Sequence, residues 1–321
     1  MKKISIIGGG TGISTILRGL KYEYEDINAI VNVVDDGGSS GVIRSEYDII
    51  PPGDLRNCVI ALSNTTPIIE RLFSYRFIRG SFEGHSLGNM MITALSEITG
   101  SMENALGEAA SIFNIAGKVF AVTLENIKLI AYLENGSKVI GESDIPREVI
   151  KSGSKIKRVN LFPRRPKAYK KVVEVLENSD VIIVGPGSLY TSLLPALLVS
   201  GVKEAILRSN AKVIYISNLM EQPGETTHYS VKDHIESIYE HIEDNIFDYV
   251  IVNNSKIGER TLSEYRKTGS DQILFSDEDI EYLKDKKIEY FEGNYTKIID
   301  NKIRHNEEEV VNTIKRITGD D

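Results

Sequence analysis

One cysteine in 321 residues, Cys58, excludes an internal disulfide framework and suits a reducing compartment. No histidine stands beside it and its neighbours are apolar, so it reads as a small core residue rather than a nucleophile. Nowhere is there an apolar run of the roughly 18 residues that a membrane-crossing helix needs. The opening MKKISIIGGG has an apolar stretch too short for a signal peptide, which places the chain in the cytoplasm as an expectation. Repeats, low-complexity tracts and proline-rich linkers are missing as well. Basic charge is scarce: 38 Lys and Arg face 46 Asp and Glu, a net charge of −8. Nucleic acid and an anionic membrane are thereby disfavoured as partners, because both require a basic surface. A small phosphorylated ligand is still allowed, since backbone N–H groups at helix N-termini bind phosphate without entering the charge count.

What is present is an ordinary globular composition, 41% hydrophobic and 26% charged. Short β-branched runs ending in Gly, Asp or Asn alternate with amphipathic stretches, the pattern of a parallel sheet with crossover helices. Strands are expected at 3–7, 29–34, 181–184, 212–217 and 249–253, and their continuous apolar character suits a sheet covered on both faces. Helices are expected at 12–21, 54–63, 86–98, 102–113, 167–177, 190–199, 230–242 and 305–317. In the third of these, Leu87, Met90, Met91, Ala94, Leu95 and Ile98 form a stripe that reads as core packing. Between 117 and 162 the residues alternate around Asn135-Gly136, a hairpin signal. The reading is one α/β domain over 1–321, Rossmann-like, with a mostly parallel sheet, helices on both faces and a small antiparallel β excursion at 117–162.

Six stretches carry chemistry. GGGTGIST follows the first strand and opens a helix, so Gly9, Gly10, Thr11 and Gly12 form a candidate phosphate loop. Ile13 occupies the third glycine position of the dinucleotide fingerprint and no Walker Lys follows, so the motif names no ligand and disfavours a nicotinamide enzyme. VVDDGGSSG ends the second strand: Asp35 and Asp36 are suited to sugar hydroxyls or to a hard cation, Mg²⁺ or Ca²⁺, and Ser39 and Ser40 lie in a flexible string. A solvated Asp-Gly turn explains that stretch equally well.

In PPGDLRNCVIAL, Asp54 is either a helix cap or a ligand contact, whereas Arg56 in the first turn opposes the helix dipole unless it meets an anion; Asn57 is its neighbour. In FEGHSLGNMM, Asn89 is an amide in an apolar helix that needs partners, and His85 reads as a cap rather than a base. VIIVGPGSLYTS supplies a second strand-to-loop cradle with Gly185, Gly187, Ser188, Tyr190 and Thr191. ISNLMEQPGETTH brings Asn218 and Gln222 to a strand's carboxyl end. No HExxH spacing exists, which argues against zinc.

Taken together, these six strings resemble the YvcK/CofD-like family, and within it the bacterial YvcK branch of gluconeogenesis factors, from residue 8 to about 234. Beyond about 250 the likeness is in length and α/β pattern only. Where the family has Pro-Asn-Leu-Leu after the second loop, this chain has Pro195-Ala196-Leu197-Leu198. The resemblance implies a CofD-like fold, binding of UDP-sugars such as UDP-N-acetylglucosamine, and a role in cell shape and wall synthesis during gluconeogenic growth. It brings a homodimer and cell-wall enzymes in as candidate partners. The related CofD branch comprises 2-phospho-L-lactate transferases that use a nucleotide-activated donor and a divalent cation. Two readings therefore stand: a regulatory nucleotide-sugar binder, or a CofD-like transferase with Asp35 and Asp36 on a metal.

Overall fold

The computed structural model describes residues 2–320, apart from the side chain of Thr11. Seven strands build the central sheet: β1 (Lys3–Gly8), β2 (Asp26–Val31), β3 (Lys118–Ala121), β7 (Val181–Val184), β8 (Lys212–Ile216), β9 (Tyr249–Asn253) and β10 (Glu289–Gly293). Between β3 and β7 lie β4 (Lys128–Leu133), β5 (Lys138–Ile140) and β6 (Ile156–Phe162), while β11 (Thr296–Ile299) and β12 (Lys302–His305) form a late hairpin. The sheet order is β10-β9-β8-β7-β1-β2-β3, and every pairing in it is parallel. Its inner strands are apolar and buried almost throughout, as a sheet covered on both faces requires. Among the described residues no helix is long and apolar enough to cross a membrane.

The early helices are α1 (Gly10–Leu20), α2 (Gly38–Tyr47), α3 (Gly53–Leu62), α4 (Pro67–Phe73), α5 (Leu87–Thr99) and α6 (Met102–Ile112). Of these, α2 replaces the flexible string expected at GGSSG. Gly41 disguises it: a Cβ there would lie 2.0 Å from the Asp36 carbonyl oxygen, so glycine is required inside the helix by a close approach. The second strand begins three residues before the expected 29–34 and ends at Val31, after which the chain bends away from the sheet. The expected helix 190–199 forms as a π-turn at Leu189–Leu193 continued by Leu194–Leu197.

Two readings of the sequence are corrected. Residues 118–121 pair parallel with β2 as the sheet's outer strand, so the antiparallel excursion is confined to β5-β4-β6, residues 128–162. An edge strand is half covered and alternates just as a hairpin does, which is why pattern alone merged the two. The apolar stripe of α5 is its core face only in part: Met91 and Leu95 pack against the core, but the fully buried positions are Gly88, Asn89, Ile92, Thr93 and Ser96, and Ile98 is 79% exposed. A Cβ on Gly88 would stand 2.3 Å from the Phe73 carbonyl oxygen, so α5 turns its small and polar side inward to reach α3 and α4.

Candidate functional site

β1 is flanked by β2 on one side and β7 on the other, and the chain runs outward in both directions from this pair. That is the topological switch point of an open parallel sheet, where a crevice opens beyond the strand carboxyl ends. Both glycine loops fall there. Gly9–Gly12 leaves β1 and opens α1, whose N-cap Gly9 offers no side-chain bond. Gly185–Ser188 leaves β7, with Gly185 at φ +83°. The loops touch so closely that a Cβ on Gly12 would lie 2.1 Å from the Pro186 carbonyl oxygen. Ile13 is fully buried against Gly8 and fills the place a third fingerprint glycine would leave open.

The second loop is held from behind. Gly187 N donates to Asn218 Oδ1 at 3.4 Å, and Gln222 Nε2 donates to Ser188 Oγ at 2.7 Å. Glu225 accepts from the Tyr190 backbone N–H at 3.2 Å and from Thr191 Oγ1 at 3.0 Å. Burial pushes Glu225 up to about 7, an effect those bonds oppose. Tyr190 and Thr191 are themselves buried, at 2% and 3% exposure, so they brace the loop rather than face the crevice.

A cavity of about 570 Å³ follows the loops, with Gly9, Gly10, Gly12, Gly187, Ser188, Asn218 and Gln222 on its wall. Its far wall comes from the C-terminal third: Tyr265, Arg304 and His305. The sequence reading missed these three, because a lone Tyr or Arg in a polar stretch carries no local pattern. Glu142, from the β excursion, closes one end. Burial raises it to about 8, with Asp35 and then Asp54 adding to the shift.

A second cavity, about 410 Å³, adjoins the first through Asp54, which lines both. Asp35, Ser39, Ser40, Arg56, Asn57 and Asn89 line it, joined by Arg76, another residue the sequence reading missed. Asn89 Nδ2 donates to Ser39 Oγ and Ser40 Oγ, both at 3.3 Å, and its Oδ1 accepts from Arg56 at 3.0 Å, which answers the question its amide raised. Arg56 also donates to Asn57 Oδ1 at 2.8 Å. Asp35 Oδ1 accepts from Gly37 N at 3.0 Å. Burial, reinforced by Asp35, brings Asp54 up to about 7, against a bond from the Gly10 backbone N–H.

The two adjacent aspartates part company. Asp36 Oδ2 accepts from Glu142 N and Oδ1 from Ser143 N, both at 2.9 Å, so Asp36 ties the β excursion to the end of β2. Among the described residues no three Asp, Glu, His or Cys side chains are grouped to hold a metal ion. With both Asp36 oxygens engaged by backbone, the donor set does not fit a resident Mg²⁺ or Ca²⁺ on the Asp35-Asp36 pair. Asp36→Ala is expected to cost about 2–3 kcal/mol in urea unfolding through loss of two charge-assisted bonds, and Asp36→Asn, which keeps one acceptor, roughly half of that. Equal stabilities of the two variants would refute this tethering role.

The CofD family profile, described as 2-phospho-L-lactate transferase CofD, matches residues 4–296. The chain belongs to the CofD family. Within it, the chain is 41% identical over 313 residues to the gluconeogenesis factor of Bacillus subtilis strain 168, covering 97% of this chain and 96% of that one. The gluconeogenesis factor of Halalkalibacterium halodurans is 43% identical over 283 residues, 88% of this chain and 87% of that protein. The crystal structure of a member of the upf0052 family from Bacillus halodurans superposes with a TM-score of 0.93 at 41% identity, covering 98% of this chain and 99% of that one. The CofD-family core thus extends well past residue 250, where the sequence motifs run out, and includes the wall that carries Tyr265.

Proposed function

We propose that this CofD-family chain is a regulatory nucleotide-sugar-binding protein of the gluconeogenesis-factor type, acting on cell shape and wall synthesis, with a UDP-sugar such as UDP-N-acetylglucosamine as its ligand. The observation that carries the reading is the apposition of two glycine loops at the switch point. Two adjacent sets of loop amides, one at a helix N-terminus, suit the two phosphates of one diphosphate. Tyr265 offers a ring for the base and Arg304 a charge beside it, while Asp35, Asn57 and Asn89 stand where the sugar end would arrive. Calorimetry with UDP-N-acetylglucosamine should give saturable one-site binding, weakened about tenfold or more by Tyr265→Ala through loss of stacking. No binding to any uridine diphosphosugar would sink the reading.

One observation favours transfer as a second reading. Asp54 sits between two cavities with its acidity moved to about 7, suited to take a proton from an acceptor hydroxyl as a phosphoryl-linked group moves to that oxygen and the nucleotide leaves. Incubation with a nucleotide-activated donor and a hydroxylated acceptor tests it. Release of free nucleotide that is lost in Asp54→Asn supports transfer, and an intact donor leaves binding alone.

A further inference from the structure

We propose that one face of the protein, formed by α4, the finger that follows it and the β11–β12 hairpin, docks on the surface of an anionic lipid bilayer.

Large apolar side chains left in water are gathered on this face. Ile68, Ile69, Leu72, Tyr75, Ile78 and Phe82 are all exposed, and so are Ile298 and Ile299 in the hairpin. These are eight of the twenty exposed large hydrophobic residues among those described, and a cluster of that kind, unlike scattered single residues, marks a surface that something covers. Ser74 at the end of α4 lines one hollow of about 420 Å³ together with Lys297, Ile299 and Lys302, so the two groups belong to the same side of the molecule.

The segment after α4 projects. Residues 78–84 are exposed without interruption, and a Cβ on Gly80 or Gly84 would meet nothing within 4 Å. Gly84 N donates to the Phe77 carbonyl at 2.8 Å and Phe77 N to the His85 carbonyl at 2.9 Å. The Phe77 ring stands 5.2 Å from that of Tyr75 and 5.6 Å from that of Phe82. The finger is thus braced by its own contacts while Ile78, Arg79 and Phe82 stand in water. A bilayer yields around two separate apolar projections, whereas a folded partner must carry two matching pits.

The net charge of −8 opposes an anionic surface only if it is evenly spread, and it is not. Residues 67–84 carry three Arg against two Glu, and residues 296–304 two Lys and one Arg against one Asp. Glu70 is also turned inward, accepting from Ser63 Oγ at 3.1 Å and lying 3.7 Å from Arg18. Arg71, Arg79 and Lys302 are exposed, and among the described residues none has a carboxylate within 4.0 Å. Cations interleaved with exposed Ile, Leu, Tyr and Phe match a headgroup layer, where each adds to the attraction as the apolar groups enter. Arg304 lines both the hollow and the glycine-loop cavity, so a docked molecule holds its crevice beside the bilayer.

The test is co-sedimentation of the protein with vesicles of phosphatidylcholine alone and of equal parts phosphatidylcholine and phosphatidylglycerol. The protein should bind the anionic vesicles, bind the neutral ones far less, and be released by salt. Ile78→Ser combined with Phe82→Ser should weaken binding about tenfold or more, and Arg79→Glu should weaken it on the anionic vesicles. All three side chains are exposed, so the midpoint of urea unfolding should not move. Leu207→Ser, on the helix Val202–Arg208 and exposed to a similar degree as Phe82, should leave vesicle binding unchanged. Absence of binding to the anionic vesicles, binding that survives the loss of Ile78 and Phe82, or an equal loss in the Leu207 variant would each overturn the proposal. A face built for an acidic protein gives the first of these results.

Discussion

Replacing Gly12 by alanine is expected to lower nucleotide-sugar affinity by roughly two orders of magnitude, because the two loops proposed to grip one diphosphate are forced apart. The added methyl would sit 2.1 Å from the Pro186 carbonyl oxygen and 2.8 Å from its carbon, and neither atom is the movable end of a side chain. Overpacking of this kind costs about 1–3 kcal/mol of stability. Gly136→Ala is the matched control. There φ is +86° and nothing stands within 4 Å, so alanine suffers only backbone strain, about 1–2 kcal/mol, in a hairpin remote from the crevice. The two variants should therefore lose comparable stability in urea unfolding, while calorimetry separates them. Equal ligand affinity in Gly12→Ala and Gly136→Ala would show that the contact between the loops does not shape the binding site.

This contact also marks the boundary of what the sequence reveals. Each glycine loop is legible by itself, since glycine after an apolar strand and before a helix is a local pattern. That Gly12 meets Pro186 is not local, because it depends on β7 returning beside β1 after the chain has travelled out to β3 and back. The same distinction separates Asp35 from Asp36. As neighbours they look equivalent, yet one lines a cavity and the other is used up by two backbone amides more than a hundred residues away. Arg56 is legible as an oddity, a cation at the wrong end of a helix, but its partners Ser86 and Asn89 come from the start of α5, about thirty residues away. Tyr265 and Arg304 were invisible for the same reason. The inward face of α5 is legible only in part, at Met91 and Leu95, because close backbone contact at Gly88 also sets the rotation of that helix.

Ligand affinity is expected to fall as pH rises through about 7 to 8, by up to roughly tenfold per pH unit for each proton linked to binding. Asp54 at about 7 and Glu142 at about 8 both line the glycine-loop cavity, each raised first by burial and then by the Asp35 charge. A diphosphate placed beside them adds negative charge, favours their protonated forms further and so takes up protons on binding. Folding carries the same sign. Groups whose folded-state pKa lies above the unfolded value hold protons that the unfolded chain has released, so their contribution is fully present below about pH 4 and is lost as pH rises to about 8. Glu225, buried at about 7, adds to that loss of stability without touching the ligand wall. Calorimetry in two buffers of different ionisation enthalpy measures the proton uptake directly. Glu142→Gln should remove much of the uptake and raise affinity above pH 8, whereas Glu225→Gln should alter the pH dependence of unfolding and change the uptake far less, because the Glu225 charge is the smallest contributor to the Glu142 shift. Affinity that stays flat from about pH 6 to about 8.5 in the unmodified protein would mean that the diphosphate does not lie against Asp54 and Glu142.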